Sequence, residues 1–272
     1  MPVIGRRQFC CSVLVAAAVP LLAAGTAVAQ PVQKPGPEEE LMMFFYKDPR
    51  PERLVGFIER ATVEPTSDWG TYPPLAGFFA VIFRAHPQRI EQLLPARLGP
   101  QRAATIAAAL RLSGEQAAAA KLRPRLGQAG RDEKLTAEFA SLPQRVEDLQ
   151  IRTPTHLDIL WGASFASGDG RFARMVLGFI AQTANRSEPV AVDVAKTALA
   201  FMGGPKDILG ELRGRYGNDA AAQIIVAGVA LWGTQANARQ HAFIDQTVAA
   251  YINDNAGTHA AKALSALRPR SR

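Results

Sequence analysis

Gly168-Asp169-Gly170-Arg171 is the stretch of this sequence that most resembles a ligand-binding loop. A phosphate-binding loop needs several converging backbone N–H groups, usually after a strand, whereas the residues before Gly168 have a helical pattern. A calcium loop needs alternating carboxylates, and Asp169 stands alone with a basic residue two positions later. A glycine that ends one helix and an aspartate that caps the next account for the stretch. We therefore predict a turn between two packed helices.

The histidines and serines show no recognisable catalytic pattern. The four histidines include neither an HExxH motif nor a pair four residues apart, the spacing that places two metal ligands on one helix face. His156 and Asp158 are two residues apart, so on a helix their side chains point to different sides. Ser164, in GASFA, lacks the last glycine of the nucleophile motif G-x-S-x-G and lies within a predicted helix. The small residues around it favour close helix packing instead.

Carboxylates are the remaining groups for acid–base chemistry. Glu38-Glu39-Glu40 fits a solvated first helical turn, where negative charge is favourable. Glu147-Asp148 lies in a predicted loop and is available for acid–base work. Paired glycosidase carboxylates come from separate elements and have no recognisable spacing. We identify no catalytic residue and predict no cofactor or metal site; whether the chain is an enzyme stays open.

A basic segment is the best candidate for a binding site. Residues 97–134 contain eight basic and three acidic residues, and KLRPR at 121–125 is the most compact part. No aromatic residue lies between Leu98 and Glu138, so stacking on nucleic-acid bases is unsupported and no nucleic-acid partner is predicted. The segment is either a solvated helix face or a surface that attracts an acidic protein or an anionic envelope component, such as glycan or lipid headgroups. The candidate site consists of Arg97, Arg102, Lys121, Arg123, Arg125 and Arg131.

Residues 1–29 have the organisation of an export signal. A paired arginine precedes the apolar run Val13 to Ala24, and Ala27-Val28-Ala29 supplies the small residues that a signal peptidase accepts. Arg6-Arg7-Gln8-Phe9 resembles the twin-arginine export signal, although Gly5 replaces the usual serine or threonine. We expect export by the twin-arginine or the general secretory route, cleavage near Ala29, and a location in the periplasm or outside the cell.

The two cysteines, Cys10 and Cys11, both lie inside this signal. The cleaved chain would therefore contain no disulfide, thiolate metal site or cysteine nucleophile. The apolar run is short and precedes a cleavage site, so no transmembrane segment is expected in the mature chain. The formal net charge of the full chain is +7, and two of its positive charges belong to the signal.

The pattern of the remaining chain predicts an all-α fold without a β-sheet. Alanine is abundant, runs of β-branched residues are scarce, and apolar residues recur at spacings of three and four. Proline and glycine mark helix starts and ends. The predicted helices span roughly 38–47, 51–61, 74–85, 87–98, 101–113, 115–127, 132–141, 154–167, 170–184, 188–202, 206–216, 219–236, 239–253 and 258–267.

The predicted organisation is one helical domain at 38–267. A flexible leader, 30–37, precedes it, and a basic tail, 268–272, follows. The loop at 142–153 is where any boundary between two halves would fall.

The stretch Trp161 to Ile180 resembles two other segments of the chain. One alignment of the chain with itself places Trp161 on Phe79, and a second places Trp161-Gly162 on Trp232-Gly233. In each case large aromatic residues end one helix, and a second apolar helix follows a break. The hairpin size resembles tetratricopeptide-type repeats, although their regular period and their W-x2-L-G-x2-Y motif are missing. The resemblance implies stacked antiparallel helical hairpins and carries over no functional residue.

Such a fold presents an extended surface and needs no catalytic constellation. We therefore predict an exported, non-catalytic binding or scaffolding protein of the cell envelope. The alternative is an envelope enzyme that acts on glycan or peptide with carboxylates not yet identified. In either case we expect five large side chains to be buried at hairpin seams, namely Trp161, Phe165, Phe172, Met175 and Trp232.

Overall fold

The computed structural model describes residues 37–60, 72–202 and 208–267. These parts contain twelve α-helices and no β-strand, which confirms the all-α prediction. The described residues do not include the predicted export signal, the leader up to residue 36 or the basic tail. The helices are α1 (Pro37–Met43), α2 (Leu54–Arg60), α3 (Tyr72–Ala85), α4 (Pro100–Ser113), α5 (Gln116–Leu122), α6 (Glu133–Ala140), α7 (Pro154–Ser167), α8 (Gly170–Ala184), α9 (Glu188–Phe201), α10 (Ile208–Ala238), α11 (Ala242–Asp254) and α12 (His259–Leu267).

Helix bounds agree best with the prediction in the second half of the chain, where α7 and α8 begin and end at the predicted residues. The helix predicted at 87–98 is wrong, because this segment has only a 3-10 turn, Pro87–Arg89, followed by irregular chain. Pro95 prevents a helix from continuing through 94–98, since proline restricts the residue before it and cannot donate a helical hydrogen bond. The helices predicted at 206–216 and 219–236 form one element, α10, broken at Gly217.

The GDGR stretch is the predicted turn. Gly168 adopts a left-handed conformation with φ 64°, and its N–H donates to the Ser164 carbonyl at 2.8 Å. The Asp169 side chain caps α8 by accepting a hydrogen bond of 2.8 Å from the Arg171 N–H. Local hydrogen bonds thus satisfy a backbone group at the end of α7 and one at the start of α8.

Helices α3 and α7 approach each other closely, backbone to backbone, across the 142–153 loop. A Cβ atom at Gly77 would lie 1.8 Å from the Ile159 carbonyl oxygen, and one at Gly162 would lie 1.8 Å from that of Pro74. The paired positions run in opposite directions along the two helices, so the helices are antiparallel. Glycine at both positions allows the two backbones to touch.

The two self-alignments of the sequence also align the ends of the helices. The alignment that places Trp161 on Phe79 also places the first and last residues of α7 on those of α3. The alignment that places Trp161 on Trp232 also places the last residue of α7 on that of α10. Helix α8 packs against α7, α10 and α11, and α9 packs against α10 and α12. The hairpin α7–α8 and the pair α10–α11 are therefore equivalent elements in adjacent positions.

A continuous hydrophobic cluster extends from α1 to α12. Of the five predicted seam residues, Trp161, Phe165 and Phe172 are buried, as expected. Met175 and Trp232 are only half-buried and pack against the edge of the cluster. Met175 lies on the side of α8 that faces a groove, which explains its exposure.

Candidate functional site

The basic side chains of the candidate site, called the basic surface below, are mostly exposed: Lys121 lies in α5, Arg123, Arg125 and Arg131 follow that helix, and Arg97 precedes α4. Arg97, Arg123 and Arg131 are exposed and have no ion-pair partner within the described ranges. Lys121 Nζ lies 3.0 Å from Glu91 Oε1, yet 70% of its side chain remains exposed. Arg125 is half-buried and donates a hydrogen bond of 3.2 Å to the Glu91 carbonyl oxygen. The structure thus brings Lys121 and Arg125 together at Glu91.

Arg102, the remaining member of the candidate site, has a different environment. It is half-buried near the start of α4 and lines a small apolar pocket with Phe57, Tyr72 and Thr105. Long basic side chains commonly pack their methylene groups against apolar surface in this way. Arg102 therefore has a packing role in addition to its charge.

A second site, which the sequence did not indicate, is a groove of about 530 Å³ between the chain at 149–152, α8 and α10. Helix α8 contributes Met175, Phe179 and Gln182, whose spacings of four and three place them on one helix face, and Arg186 follows in the turn after α8. This face mixes apolar with polar residues, a pattern typical neither of a buried core face nor of a solvent-exposed face. That mixture is the one sequence signal for the groove.

The wall opposite α8 is held in place by His156. The Arg152 N–H donates a hydrogen bond of 3.0 Å to Nδ1 of His156, and the Arg152 guanidinium donates to Gln150 Oε1 at 3.1 Å. Burial lowers the pKa of His156 below its ordinary value, which favours the neutral ring that this acceptor role requires. His156 therefore fixes the backbone of Arg152 in position.

Glu147, a candidate acid–base residue, is surrounded by arginines. It accepts hydrogen bonds of 2.8 and 2.9 Å from Arg84 at the end of α3, and Arg171 Nη1 lies 3.2 Å from its Oε1. Arg145 Nε lies 3.9 Å from its Oε2. These contacts tie the 142–153 loop to α3 and to the start of α8. They give Glu147 a structural role as the link between the GDGR turn and α3.

Asp193 is a buried carboxylate on α9, with 2% of its surface exposed. Its Oδ2 accepts hydrogen bonds of 2.5 Å from Arg215 and 2.8 Å from the Tyr216 hydroxyl. Both donors precede Gly217, where φ of 76° and ψ of 172° interrupt α10. The contacts therefore attach the first arm of α10 to α9, and a buried charge is stable because it is paired.

His241 lies in a buried aromatic cluster formed by residues far apart in the chain. The ring centroids of Phe165 and Phe44 lie 4.8 and 5.1 Å from that of His241, and Tyr46 and Phe243 complete the cluster. The Tyr46 hydroxyl lies 3.3 Å from Nδ1, whereas Nε2 has no hydrogen-bond partner within the described residues. Burial lowers the pKa of His241 to about 4, and the nearby Lys47 cation acts in the same direction.

Ser164 has no access to a substrate. It is fully buried, and its hydroxyl donates a hydrogen bond of 3.0 Å to the Leu160 carbonyl oxygen within α7. Its neighbour Gly162 makes the close backbone contact with α3 described above. The prediction that small residues here serve helix packing is confirmed.

The described residues contain no group of three or more histidine, cysteine, aspartate or glutamate side chains arranged to hold a metal ion. Within the same ranges, no helix combines the length and apolar character needed to cross a membrane. Comparison with known proteins finds no matching family model, curated protein or solved structure.

Proposed function

We propose that this chain is an exported, non-catalytic binding module of the cell envelope, and that its basic surface attracts an anionic envelope component. Export rests on the signal-like sequence at 1–29, which lies outside the described residues. N-terminal sequencing of the exported protein tests it, with Gln30 as the expected first residue. The general secretory and twin-arginine routes are distinguished by replacing Arg6-Arg7 with two lysines, which blocks only the second.

The observation that carries the binding proposal is the accessibility of the cations. Arg97, Arg123 and Arg131 are exposed and lack ion-pair partners among the described residues, and Lys121 is mostly exposed although it contacts Glu91. Exposed cations attract anionic surfaces over roughly a Debye length, about 8 Å at physiological ionic strength. Each lysine or arginine near an anionic membrane contributes about 1 kcal/mol to adsorption.

Binding to vesicles provides the test. Vesicles of phosphatidylglycerol and phosphatidylcholine are compared with neutral phosphatidylcholine vesicles, and an acidic polysaccharide such as alginate tests the glycan source. The variant Lys121→Gln/Arg123→Gln/Arg131→Gln removes three exposed charges and leaves Arg125, whose contact with Glu91 supports the fold. We expect at least tenfold weaker binding to the anionic probe, and weaker binding of the native protein as salt is raised.

The matched control is Arg213→Gln/Arg239→Gln/Lys262→Gln, which removes three exposed charges from α10, the turn after it and α12. The control keeps native binding if the basic surface is specific. Equal losses in both variants would show a dependence on net charge alone, and no binding by the native protein to any anionic probe would refute the proposal. Release of product from glycan or peptide probes during these measurements would favour the alternative, an envelope enzyme.

A further inference from the structure

The groove between residues 149–152, α8 and α10 has properties that the basic surface lacks. Its volume of about 530 Å³ falls in the range of about 300–1,000 Å³ typical of ligand-binding clefts. It is formed by elements on both sides of the α7–α8 hairpin, so its shape depends on the packed fold. It shares no residue with the basic surface and therefore represents a separate site.

Hydrogen-bond donors dominate the polar lining of the groove. The groups are two guanidiniums, three carboxamides and one hydroxyl, and the described lining includes no carboxylate: Gln150, Arg152, Gln182, Thr183, Arg186 and Gln223. The Arg186 side chain has no hydrogen-bond or ion-pair partner within the described residues. Two arginines without an acidic neighbour in the lining favour a ligand that carries a carboxylate, which a guanidinium can bind through two parallel hydrogen bonds.

Two hydrogen bonds position Arg152 for contact with a carboxylate. Its backbone N–H is bonded to the buried His156 ring, and its guanidinium contacts Gln150. A charged group whose backbone is fixed loses less conformational freedom when it binds a ligand. The groove therefore combines a positioned cation from the chain before α7 with an unpaired one in the turn after α8.

The apolar and amide groups identify the rest of the ligand. Met175 and Phe179 are half-buried and line the groove along α8, where they offer contact for an apolar side chain. Each glutamine carboxamide both donates and accepts, which matches the N–H and C=O groups of an extended peptide. We propose that this groove binds an extended peptide segment that carries both acidic and apolar side chains.

Fluorescence anisotropy with two synthetic heptapeptide libraries tests this site. The acidic library alternates Asp or Glu with Leu, Val or Phe, and the neutral library has Asn or Gln in place of the acids. We expect the native protein to bind the acidic library at least tenfold more tightly than the neutral one. The variant Arg152→Gln/Arg186→Gln should lose this preference, and Phe179→Ala should weaken binding of both libraries.

Two controls separate this site from the basic surface. Arg213→Gln/Arg239→Gln removes two charges outside the groove and should retain native affinity for the acidic library. The triple variant of the basic surface should also retain it, so failure of either proposal is distinguishable from failure of the other. Hydrogen exchange should show protection at 149–152 and 175–186 when the acidic library is bound.

Four results would overturn the inference. The first is equal affinity for the two libraries, and the second is no binding of the acidic library by the folded native protein. The third is protection outside the groove. The fourth is alginate binding that depends on Arg152 and Arg186 without any peptide binding, which would indicate a glycan site instead.

Discussion

His241 links the stability of the domain to pH through its burial. The unfolded chain has an ordinary histidine pKa of 6.5, whereas the folded state lowers that pKa to about 4. Between these values the unfolded state binds a proton that the folded state excludes. Stability is therefore complete above pH 6.5 and is lost as the pH falls towards 4, with a loss of about 2 kcal/mol at pH 5 from this residue.

The prediction is tested by urea unfolding at pH 7.5 and pH 5 of the native protein and of His241→Gln. Glutamine keeps a polar group beside Tyr46 but does not titrate in this range. We expect the difference in unfolding free energy between the two pH values to shrink by about 2 kcal/mol in the variant. A smaller loss of unfolding free energy between pH 7.5 and pH 5 should persist in the variant, because burial lowers the pKa of His156 as well. An unchanged difference would show that His241 is not the source.

The sequence pattern does not predict the cluster around His241, for a physical reason. Its neighbours come from three segments that lie far apart in the chain, namely Phe44 and Tyr46, Phe165, and Phe243. A lone histidine carries no periodic pattern that reveals such a cluster. The Asp169 cap was predictable because its partner, the Arg171 N–H, is two residues away.

At the level of elements, the α3–α7 crossing depends on two glycines. An added methyl group at Gly77 or Gly162 would meet a backbone carbonyl of the other helix, which cannot rotate away as a side chain can. We therefore expect Gly77→Ala and Gly162→Ala each to destabilise the domain by about 3 kcal/mol, since the helices must separate. Thermal and urea unfolding measure this loss.

Gly178 provides the matched control. It lies in α8, and a Cβ atom there would have no heavy atom within 4 Å. Gly178→Ala should raise stability by about 0.5–1 kcal/mol, because alanine has the higher helix propensity. If all three substitutions are equally neutral, then the helices do not pack backbone to backbone at this crossing.

The elements themselves were largely predictable, and their partners only in part. Prolines, glycines and apolar spacing located most helices because these signals act within a few residues. The alignment of Trp161 with Phe79 marked α3 and α7 as equivalent, but the reciprocal contact of Gly77 and Gly162 depends on tertiary packing. The groove on α8 was missed for the same reason, since its opposite wall comes from 149–152 and α10.

For the whole molecule, the location of the contacts determines whether the two halves unfold together. The 142–153 loop was the predicted place for any boundary, yet α3 packs on α7 across it. Glu147 within the loop also contacts Arg84 on one side and Arg171 on the other. The hydrophobic cluster continues from α1 to α12 without a break at this loop.

We therefore expect one cooperative unfolding transition. In urea, a Trp69→Phe background restricts tryptophan fluorescence to Trp161 and Trp232 in the second half, while far-UV circular dichroism reports on helices throughout the chain. Coincident midpoints for the two signals are the expected result for a two-state domain. Gly77→Ala, in the first half, should move both midpoints together, because the lost contact is shared. A shift of the dichroism midpoint that leaves the fluorescence midpoint in place would show instead that the halves are independent domains.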